Sequence, residues 1–352
     1  GVGSSRVWIK QANAACQSLL CQWAEPFSAL ARRAGADPMA VQGFLDIAWK
    51  WLLMNHPHDS ICGCSIDAVH EDMKYRFAQT QQIGEWLTLQ ALRGLTACVA
   101  GDIAADEVRV TVFNPLPTPF EGVADLRLDI PPIWPLFNFN MGAFQPAPAF
   151  RIYGPDAAEL PYQRLGQATD RTRGRLYGVA FPKTFKVTEV PVALRLSIPA
   201  LGYTTLTLRP GEPGQPTRHP ATPGLATSER TLENEHLAAT IEANGALTVL
   251  DKRTGRIYSR LLTFEDRADI GDGWNHGVAL NDQIHVSTAS RASVALIHNG
   301  PYLATFRVRT VMDLPEEFDF RQMTRAERWA PLIVDNLITL RAGADHLEVE
   351  ST

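Results

Sequence analysis

The segment NHPHDSICGC, residues 55–64, lies between two stretches of helical periodicity and sets how the helices around it are arranged. Two histidines, an aspartate and two cysteines fall within nine of its residues, 56–64. Asn55, His56 and Pro57 mark the end of the preceding helix. Irregular backbone between helices can present side chains outward, so the segment predicts an exposed turn that carries ligand-type side chains.

Apolar residues before this segment recur at three- and four-residue steps, the period of one helical face. The first helix is predicted to end at the Ala-Gly-Ala sequence of residues 34–36. Asp37 is predicted to cap the second helix, and Pro38 suits its first position because its missing N–H would be unpaired there. The inward positions are Ile9, Ala12, Cys16, Leu19, Trp23, Phe27 and Leu30 in the first helix and Val41, Phe44, Ile47, Ala48, Trp51 and Leu52 in the second.

A third helix is predicted to follow the segment, with Ser65 as its cap and Asp67 in its first turn. It continues towards Gly101 with inward positions at Val69, Met73, Phe77, Ile83, Trp86 and Leu92. Three amphipathic helices with short connections predict an antiparallel three-helix bundle.

From Glu107 onward the hydrophobic period shortens to two, which indicates strands. An Asn-Gly pair at residues 244–245 between two alternating runs predicts a hairpin. Residues 211–224 are rich in Pro and Gly and are interpreted as a linker, and the apolar stretch 130–150 as a loop. The predicted strand segments are 108–113, 126–130, 193–198, 203–208, 237–241, 247–250, 302–311, 332–341 and 347–350.

These patterns predict a multi-domain chain of α then β class: a three-helix bundle followed by antiparallel β-sandwich domains. The predicted units are a bundle at 1–106, a β-sandwich at 107–212, a linker at 213–227 and a second sandwich at 228–352. The last strand meets the C-terminus with no closing turn, so the second sandwich is expected to be truncated, the first part of a larger one.

Composition excludes several classes of function. With 33 basic and 38 acidic residues among 352, the net charge of -5 does not suit a nucleic-acid partner. No window supplies the ~18 uncharged apolar residues of a membrane span, and no secretory signal is visible at the start. The five cysteines form an odd number and all lie in the first hundred residues, which predicts a reducing, cytoplasmic location. A homo-oligomer is compatible with the sequence.

The ligand-type residues of segment 55–64 allow three interpretations. The first is a plain helix terminus, with Asp59 as a cap, His56 solvated and the two cysteines as small buried residues. The second is a structural zinc site that uses His58, Cys62, Cys64 and His70, although C-x-C is tighter than the usual spacing. The third is a catalytic zinc site completed by ligands from elsewhere.

The sequence NHPHDSICGCSIDAVHEDM, residues 55–73, resembles the second zinc-site motif of the glycoside hydrolase family 38 α-mannosidases. The segments GSSR at 3–6 and KQAN at 10–13 resemble the entry to the family's three-helix domain. The segments ENEH at 233–236 and NGAL at 244–247, with Asp251 and Lys252, resemble the start of its large C-terminal sandwich. The resemblance covers nearly the whole chain in the family's order.

The resemblance implies roles for three residues. His58 would be the single ligand that this domain donates to a zinc ion (Zn2+), and Asp59 would hydrogen-bond sugar hydroxyls beside the metal. Trp274, in the GDGW segment at 271–274, matches an aromatic position near the substrate, with a core tryptophan as the alternative. The substrate would be a mannose-containing oligosaccharide whose α-linked mannose is hydrolysed with retention.

Retaining hydrolysis needs two carboxyl groups, a nucleophile and an acid/base. The resemblance implies that both come from an N-terminal catalytic barrel that precedes this region, so no catalytic carboxylate is assigned here. The acidic group of Glu265, Asp266 and Asp269 is interpreted as solvated loop charge. The chain alone is therefore expected to be inactive. The alternative function is a non-catalytic carbohydrate-binding or assembly module whose His-Asp turn is structural.

Overall fold

The computed structural model describes residues 2–36, 41–99, 101–137, 147–175, 181, 183–212 and 223–352. Asp37 and Pro38, which were predicted to begin the second helix, and most of the 213–227 linker lie outside these residues. The described part of the chain is helical up to residue 97, and from residue 108 onward it forms strands apart from one short 3-10 helix at Ser287–Ala289.

The helical part contains the three predicted helices, with irregularities in two places. The first helix runs as α1 (Val7–Ser18), a π-helical segment (Leu19–Ala24) and α2 (Glu25–Arg33). It is followed by α3 (Val41–Leu53), the short α4 (His58–Cys62) and the long α5 (Asp67–Ala97). Their apolar faces meet in one core, which includes Ile9, Cys16, Leu20, Ala48, Leu52, Met73 and Leu87.

The predicted cap of the third helix was wrong. The residue that precedes α5 is Ile66, which has extended backbone and makes no side-chain cap bond. Ser65 instead belongs to the preceding turn, because its N–H donates to the carbonyl oxygen of Asp59 at 3.2 Å. Asp67 lies in the first turn of α5, as predicted.

The first group of strands forms two facing antiparallel sheets. One has the order β1-β10-β5-β6, and the other has β2-β9-β7 with β8 also paired to β9. Their inward residues form one core, including Leu128, Ile152, Val190, Val192, Leu194, Leu206 and Leu208. The strands are β1 (Val108–Phe113), β2 (Phe120–Ile130), β3 (Leu136–Phe137), β4 (Ala147–Pro148), β5 (Phe150–Tyr153), β6 (Glu159–Leu160), β7 (Gln163–Arg164), β8 (Ala168–Arg175), β9 (Lys183–Ile198) and β10 (Tyr203–Pro210).

The stretch 130–150, interpreted as a loop, is partly structured. Leu136 pairs with Pro148 in the two-stranded β3–β4 ladder, and the indole of Trp134 is buried in the sandwich core. Trp134 in this stretch therefore serves packing, whereas Ile133 beside it is 89% exposed.

The second group of strands forms another pair of sheets, with orders β11-β12-β13-β14 and β17-β18-β21-β22. Asn244 and Gly245 form the β12–β13 turn as predicted, with Gly245 at a φ of 89°. The strands are β11 (Thr231–Glu233), β12 (Leu237–Ile241), β13 (Leu247–Asp251), β14 (Arg256–Leu261), β15 (Glu265–Asp266), β16 (His285–Val286), β17 (Arg291–Asn299), β18 (Leu303–Pro315), β19 (Phe318–Asp319), β20 (Thr324–Arg325), β21 (Trp329–Arg341) and β22 (Glu348–Ser351).

Side chains join the three groups of elements. The ring of Phe113 at the end of β1 packs edge-on against Phe27 of α2, with centroids 5.6 Å apart. The buried amide of Gln163 donates to the Leu303 carbonyl at 3.0 Å and accepts from the Tyr302 and Leu303 N–H groups at 3.1 Å each. Among the described residues, no helix combines the length and apolar character that crossing a membrane requires.

Candidate functional site

The turn around α4 holds His58 and Asp59 at its outer surface. Pro57 has extended backbone, and its carbonyl accepts the N–H groups of Ser60 and Ile61 at 2.9 and 3.0 Å. The turn closes where the N–H groups of Cys64 and Ser65 both donate to the carbonyl of Asp59 at 3.2 Å. The side chains of His58 and Asp59 remain 92% and 50% exposed.

The carboxylate of Asp59 lies between two neighbours. His58 Nε2 is 3.4 Å from Asp59 Oδ1. On its other side, Cys64 Sγ donates to the same Oδ1 at 3.5 Å. Burial raises the pKa of the Cys64 thiol, and the hydrogen bond to Asp59 raises it further, so the thiol stays protonated and acts as a donor. The carboxylate is thus oriented but retains free lone pairs towards solvent.

Two cationic side chains at the start of α1 hold this turn in place through hydrogen bonds. The Arg6 guanidinium donates to the carbonyl of Gly63 and to Asp67 Oδ1, the latter at 2.5 Å. Lys10 Nζ donates to the Cys62 carbonyl at 2.9 Å and also to that of Ser5. Burial lowers the pKa of Lys10. The sequence pattern did not predict this role, because the partners of Arg6 and Lys10 in the turn lie more than fifty positions away.

A loop from the second sandwich reaches the same turn. Ser5 Oγ donates to the Gly273 carbonyl at 3.1 Å, and a Cβ placed on Gly273 would lie 2.9 Å from Cys64 Cβ. Glycine is needed here because the two backbones come too close for any side chain. The contact places Trp274, which is 53% exposed, beside the turn. Trp274 is therefore not a core tryptophan.

Two carboxylates shape this loop from inside. Asp269 Oδ1 accepts the N–H groups of Gly277 at 2.8 Å and Gly271 at 2.9 Å, and Asp269 Oδ2 is 3.1 Å from His276 Nδ1. The N–H of Gly277, followed by that of Gly271, holds the pKa of Asp269 well below its usual range. Asp272 Oδ1 accepts from Asn275 at 2.7 Å and Trp274 at 2.8 Å.

The structural zinc site considered from sequence is not assembled. His70 is buried, and its Nε2 is 3.1 Å from the carbonyl of Ser65. Across the described ranges, no three histidine, cysteine, aspartate or glutamate side chains are arranged to hold a metal ion. His56 is not simply solvated either, since its Nε2 lies 2.8 Å from Asn13 Oδ1.

The acidic residues near the loop, which were interpreted as solvated charges, form ion pairs and hydrogen bonds. Asp266 and Asp282 both pair with the largely buried guanidinium of Arg325, the second at 3.0 Å. Glu265 pairs with Arg267. Together with the loop bonds of Asp269, these contacts occupy the carboxylates that sequence reasoning had singled out.

Comparison with known proteins shows what the chain is similar to. Residues 1–95 match the sequence model of the α-mannosidase middle domain. The chain superimposes with a TM-score of 0.83 and 27% identity on a protein of glycosyl hydrolase family 38 from Enterococcus faecalis, covering 99% of this chain and 43% of that one. The family model thus covers about the first quarter of the chain, and similarity to a family 38 structure extends over nearly all of it.

Two further proteins are similar to this chain over most of its length. An α-mannosidase from Enterococcus faecalis superimposes with a TM-score of 0.86 and 27% identity over 99% of this chain and 41% of its own. A protein of Halalkalibacterium halodurans, provisionally named a mannosylglycerate hydrolase, is 29% identical over 341 residues, which is 93% of this chain and 37% of its own length. The chain thus spans less than half the length of each of these relatives.

The donor set of the His58–Asp59 turn fits part of a zinc site. An exposed imidazole can bind zinc as a neutral ligand, and an adjacent carboxylate can bind a hydroxyl group held at the metal. A catalytic zinc site has three protein ligands as a rule. His58 and Asp59 therefore suit a shared site and do not make a complete one.

Proposed function

We propose that this chain is the middle and C-terminal β region of a zinc-dependent, retaining α-mannosidase, in which His58 contributes one zinc ligand. The observation that supports the proposal is the exposed His58–Asp59 pair on a turn that two separate parts of the chain hold in place. A histidine needed only for packing would be buried, whereas the His58 side chain is 92% exposed on a turn that other parts of the chain hold in place.

Four residues of this chain have separate roles in the proposed binding site. Asp59, oriented by the Cys64 thiol, accepts hydrogen bonds from hydroxyls of the mannose ring. The indole of Trp274 offers a flat apolar face against which a sugar ring can pack. Lys10 and Arg6 act as positioning residues, since they hold the backbone of the turn and not the sugar.

When bound, zinc supplies electrostatic stabilisation to the hydroxyl groups of the ring that lies against it. The nucleophile and the acid/base of a retaining hydrolase are two carboxyl groups about 5–5.5 Å apart. We assign both to the N-terminal catalytic domain, because the acidic residues singled out in this chain are held in structural ion pairs and hydrogen bonds.

The substrate that we propose contains an α-linked mannose. The name of the Halalkalibacterium halodurans relative adds glycerate as an aglycone to be tested. Hydrolysis of mannosylglycerate, compared with that of an aryl α-mannoside, would separate a specialised enzyme from a general glycosidase.

His58→Ala and Asp59→Asn in the complete protein test the proposal. Loss of a zinc ligand is expected to reduce zinc content and hydrolysis together. The Asp59→Asn protein should keep its zinc but lose roughly a hundredfold or more in kcat/KM, because a charged hydrogen bond to the substrate is removed. Zinc is measured by atomic absorption and hydrolysis with an aryl α-mannoside.

Asp345 and His346 form a matched control. They are also adjacent and exposed, with His346 Nδ1 3.3 Å from Asp345 Oδ1, but they lie far along the chain before β22. His346→Ala should change neither zinc content nor rate. A His58→Ala protein that retains both would leave the binding or assembly module as the better explanation.

A further inference from the structure

The segment that carries Trp274 is held at its base by a largely buried ion-pair cluster. This segment, residues 267–281, includes the loop that contacts the His58–Asp59 turn. Asp266 precedes the segment and Asp282 follows it, and both carboxylates pair with the guanidinium of Arg325, whose side chain is only 7% exposed. One cation thus holds the two ends of the segment together.

Directional hydrogen bonds accompany the ion pairs of this cluster. Arg325 Nε donates to Asp282 Oδ1 at 3.0 Å, and a second nitrogen of the same guanidinium donates to Asp266 Oδ1. The other oxygen of Asp282 accepts the N–H of Ala268 at 2.9 Å, so this carboxylate also joins the end of the segment to its beginning. The planar guanidinium suits a double contact of this kind, which the single ammonium group of lysine cannot reproduce.

Arg325 reaches the segment from a separate hairpin. It lies in β20, which pairs with β19 in the connection between the two central strands β18 and β21. The start of β21 makes a second contact, since the indole of Trp329 packs edge-on against His285 with ring centroids 5.2 Å apart. His285 pairs with Asp266 in the β15–β16 ladder. The base of the segment is therefore fixed by residues that lie well beyond it in the chain.

Backbone pairing extends this hold from the base of the segment to Trp274. Asp269 forms a bridge with Val278, and nearer the tip the N–H of Asp272 donates to the carbonyl of Asn275 at 3.1 Å. Trp274 lies between those last two residues. The two arms of the segment are thus paired from base to tip, so a displacement at the base also displaces the indole.

We propose that Arg325 is a positioning residue for the sugar site, which places Trp274 beside the His58–Asp59 turn by fixing the base of its segment. This inference rests on the proposed function, in which the indole packs against a mannose ring. Because Trp274 is 53% exposed, its position depends on the segment that carries it more than on its own packing.

The composition of the cluster favours a role in position over a role in stability. Two carboxylates share one guanidinium, and the side chains of Arg325 and Asp282 are only 7% and 13% exposed. A largely buried ion pair is a weak source of net stability, because the cost of removing the charges from water offsets their attraction. Its directional bonds nevertheless fix where the two ends of the segment lie.

Hydrogen exchange in the 352-residue chain tests the hold on the segment without relying on activity. Arg325→Met leaves two carboxylates facing each other without a cation, so exchange in peptides from 267–281 should become about tenfold or more faster. Arg341→Met is the matched control, because Arg341 also pairs with two carboxylates, those of Asp125 and Glu348, which lie outside the segment. It should leave exchange in 267–281 unchanged.

Arg325→Lys separates a local effect from general unfolding. It keeps a cation in the cluster but not the double contact, so exchange in 267–281 should increase by a smaller factor than in Arg325→Met. Peptides from the helical part should exchange at the same rate as in the unmodified chain.

Kinetics of the complete protein test the link to the sugar. Arg325→Met should raise KM for an aryl α-mannoside about tenfold and leave zinc content and kcat nearly unchanged, because a packing contact with the sugar is lost. In a protein that already carries Trp274→Ala, Arg325→Met should raise KM no further, since both changes remove the same contact. A purely structural role would reduce activity equally in both backgrounds.

Three outcomes decide between these possibilities. Unchanged exchange in 267–281 for Arg325→Met would overturn the inference even if zinc binding and hydrolysis were found. Effects of Arg325→Met and Trp274→Ala on KM that multiply would also overturn it, because the two residues would then act independently. Faster exchange confined to 267–281, in a protein whose complete form neither binds zinc nor hydrolyses the mannoside, would support the hold of Arg325 on the segment and reject the proposed function.

Discussion

Gly63 sets the direction in which the chain leaves α4 in the His58–Asp59 turn. Its φ of 81° lies in the left-handed region that favours glycine. A Cβ at this position would lie 2.8 Å from the carbonyl oxygen of Ser5. The residue therefore allows both the reversal after Cys62 and the close approach of the α1 entry segment. A side chain at this position would press against the segment from which Arg6 and Lys10 reach the carbonyls of Gly63 and Cys62.

Gly63→Ala is expected to lower the free energy of unfolding by about 2 kcal/mol, because the left-handed backbone and the contact with Ser5 both penalise a side chain. Gly43→Ala is the matched control: Gly43 lies within α3 with no atom near its Cβ position, so alanine should stabilise by roughly 0.5–1 kcal/mol. Urea unfolding followed by circular dichroism measures both. An unchanged midpoint for Gly63→Ala would show that the Ser5 contact relaxes freely.

At the scale of elements, the 269–277 loop is ordered by its own carboxylates. The Asp269 carboxylate accepts hydrogen bonds from two backbone N–H groups at the neck of the loop, and the Asp272 carboxylate accepts two at its tip. The loop thus reaches the turn as a preformed unit. Its register against Cys64 is then set by Gly273, the residue without a side chain.

The loop should lose order when Asp269 is neutralised. Because hydrogen bonds lower the pKa of this carboxyl in the folded state, they contribute stability above the ordinary aspartate pKa of about 3.9 and lose it as the pH falls below that value. Trp274 fluorescence, taken as the difference from a Trp274→Phe protein, should therefore change below about pH 4.

Asp269→Asn should produce the same fluorescence change already at neutral pH. Asp345→Asn serves as the control, since the Asp345 pKa is also lowered, chiefly by His346, but that carboxyl lies outside the loop. Identical Trp274 signals for Asp269→Asn and the unmodified chain at pH 7 would mean that backbone contacts alone hold the loop.

At the scale of the whole molecule, three regions of the chain together hold in place the small surface around His58 and Asp59. The helical part provides His58 and Asp59, and the second sandwich provides Trp274. The first sandwich connects to both through Phe113 and Gln163. The described part of this assembly supplies no group of three metal-ligating side chains.

The 352-residue chain by itself should neither hydrolyse an aryl α-mannoside nor retain zinc during dialysis against a weak chelator. One imidazole and one carboxylate bind zinc far more weakly than the three or four ligands of a complete site. Turnover above the blank would mean that the nucleophile lies in this chain. Stoichiometric zinc after dialysis would point back to a site that includes the cysteines.

Much of the fold was predictable from local pattern. The helical stripes, the strands such as 108–113 and the Asn244-Gly245 hairpin follow from hydrophobic period and turn chemistry, which act between neighbours in the chain. The family resemblance was also readable in the HD-containing segment 55–73. The helix cap at Ser65 was not, because a competing bond to the Asp59 carbonyl draws that N–H into the turn.

Sequence alone determined which residues were candidates, namely His58, Asp59 and Trp274, and that helices precede sheets. Only the tertiary structure decided that Trp274 lies beside the turn and that Arg6 and Lys10 brace the turn. It also decided that His70 and the cysteines do not come together as a metal site. Those facts depend on contacts between residues from about fifty to more than two hundred positions apart. Such contacts arise from how the sheets and helices pack, which hydrophobic period within any one segment does not encode.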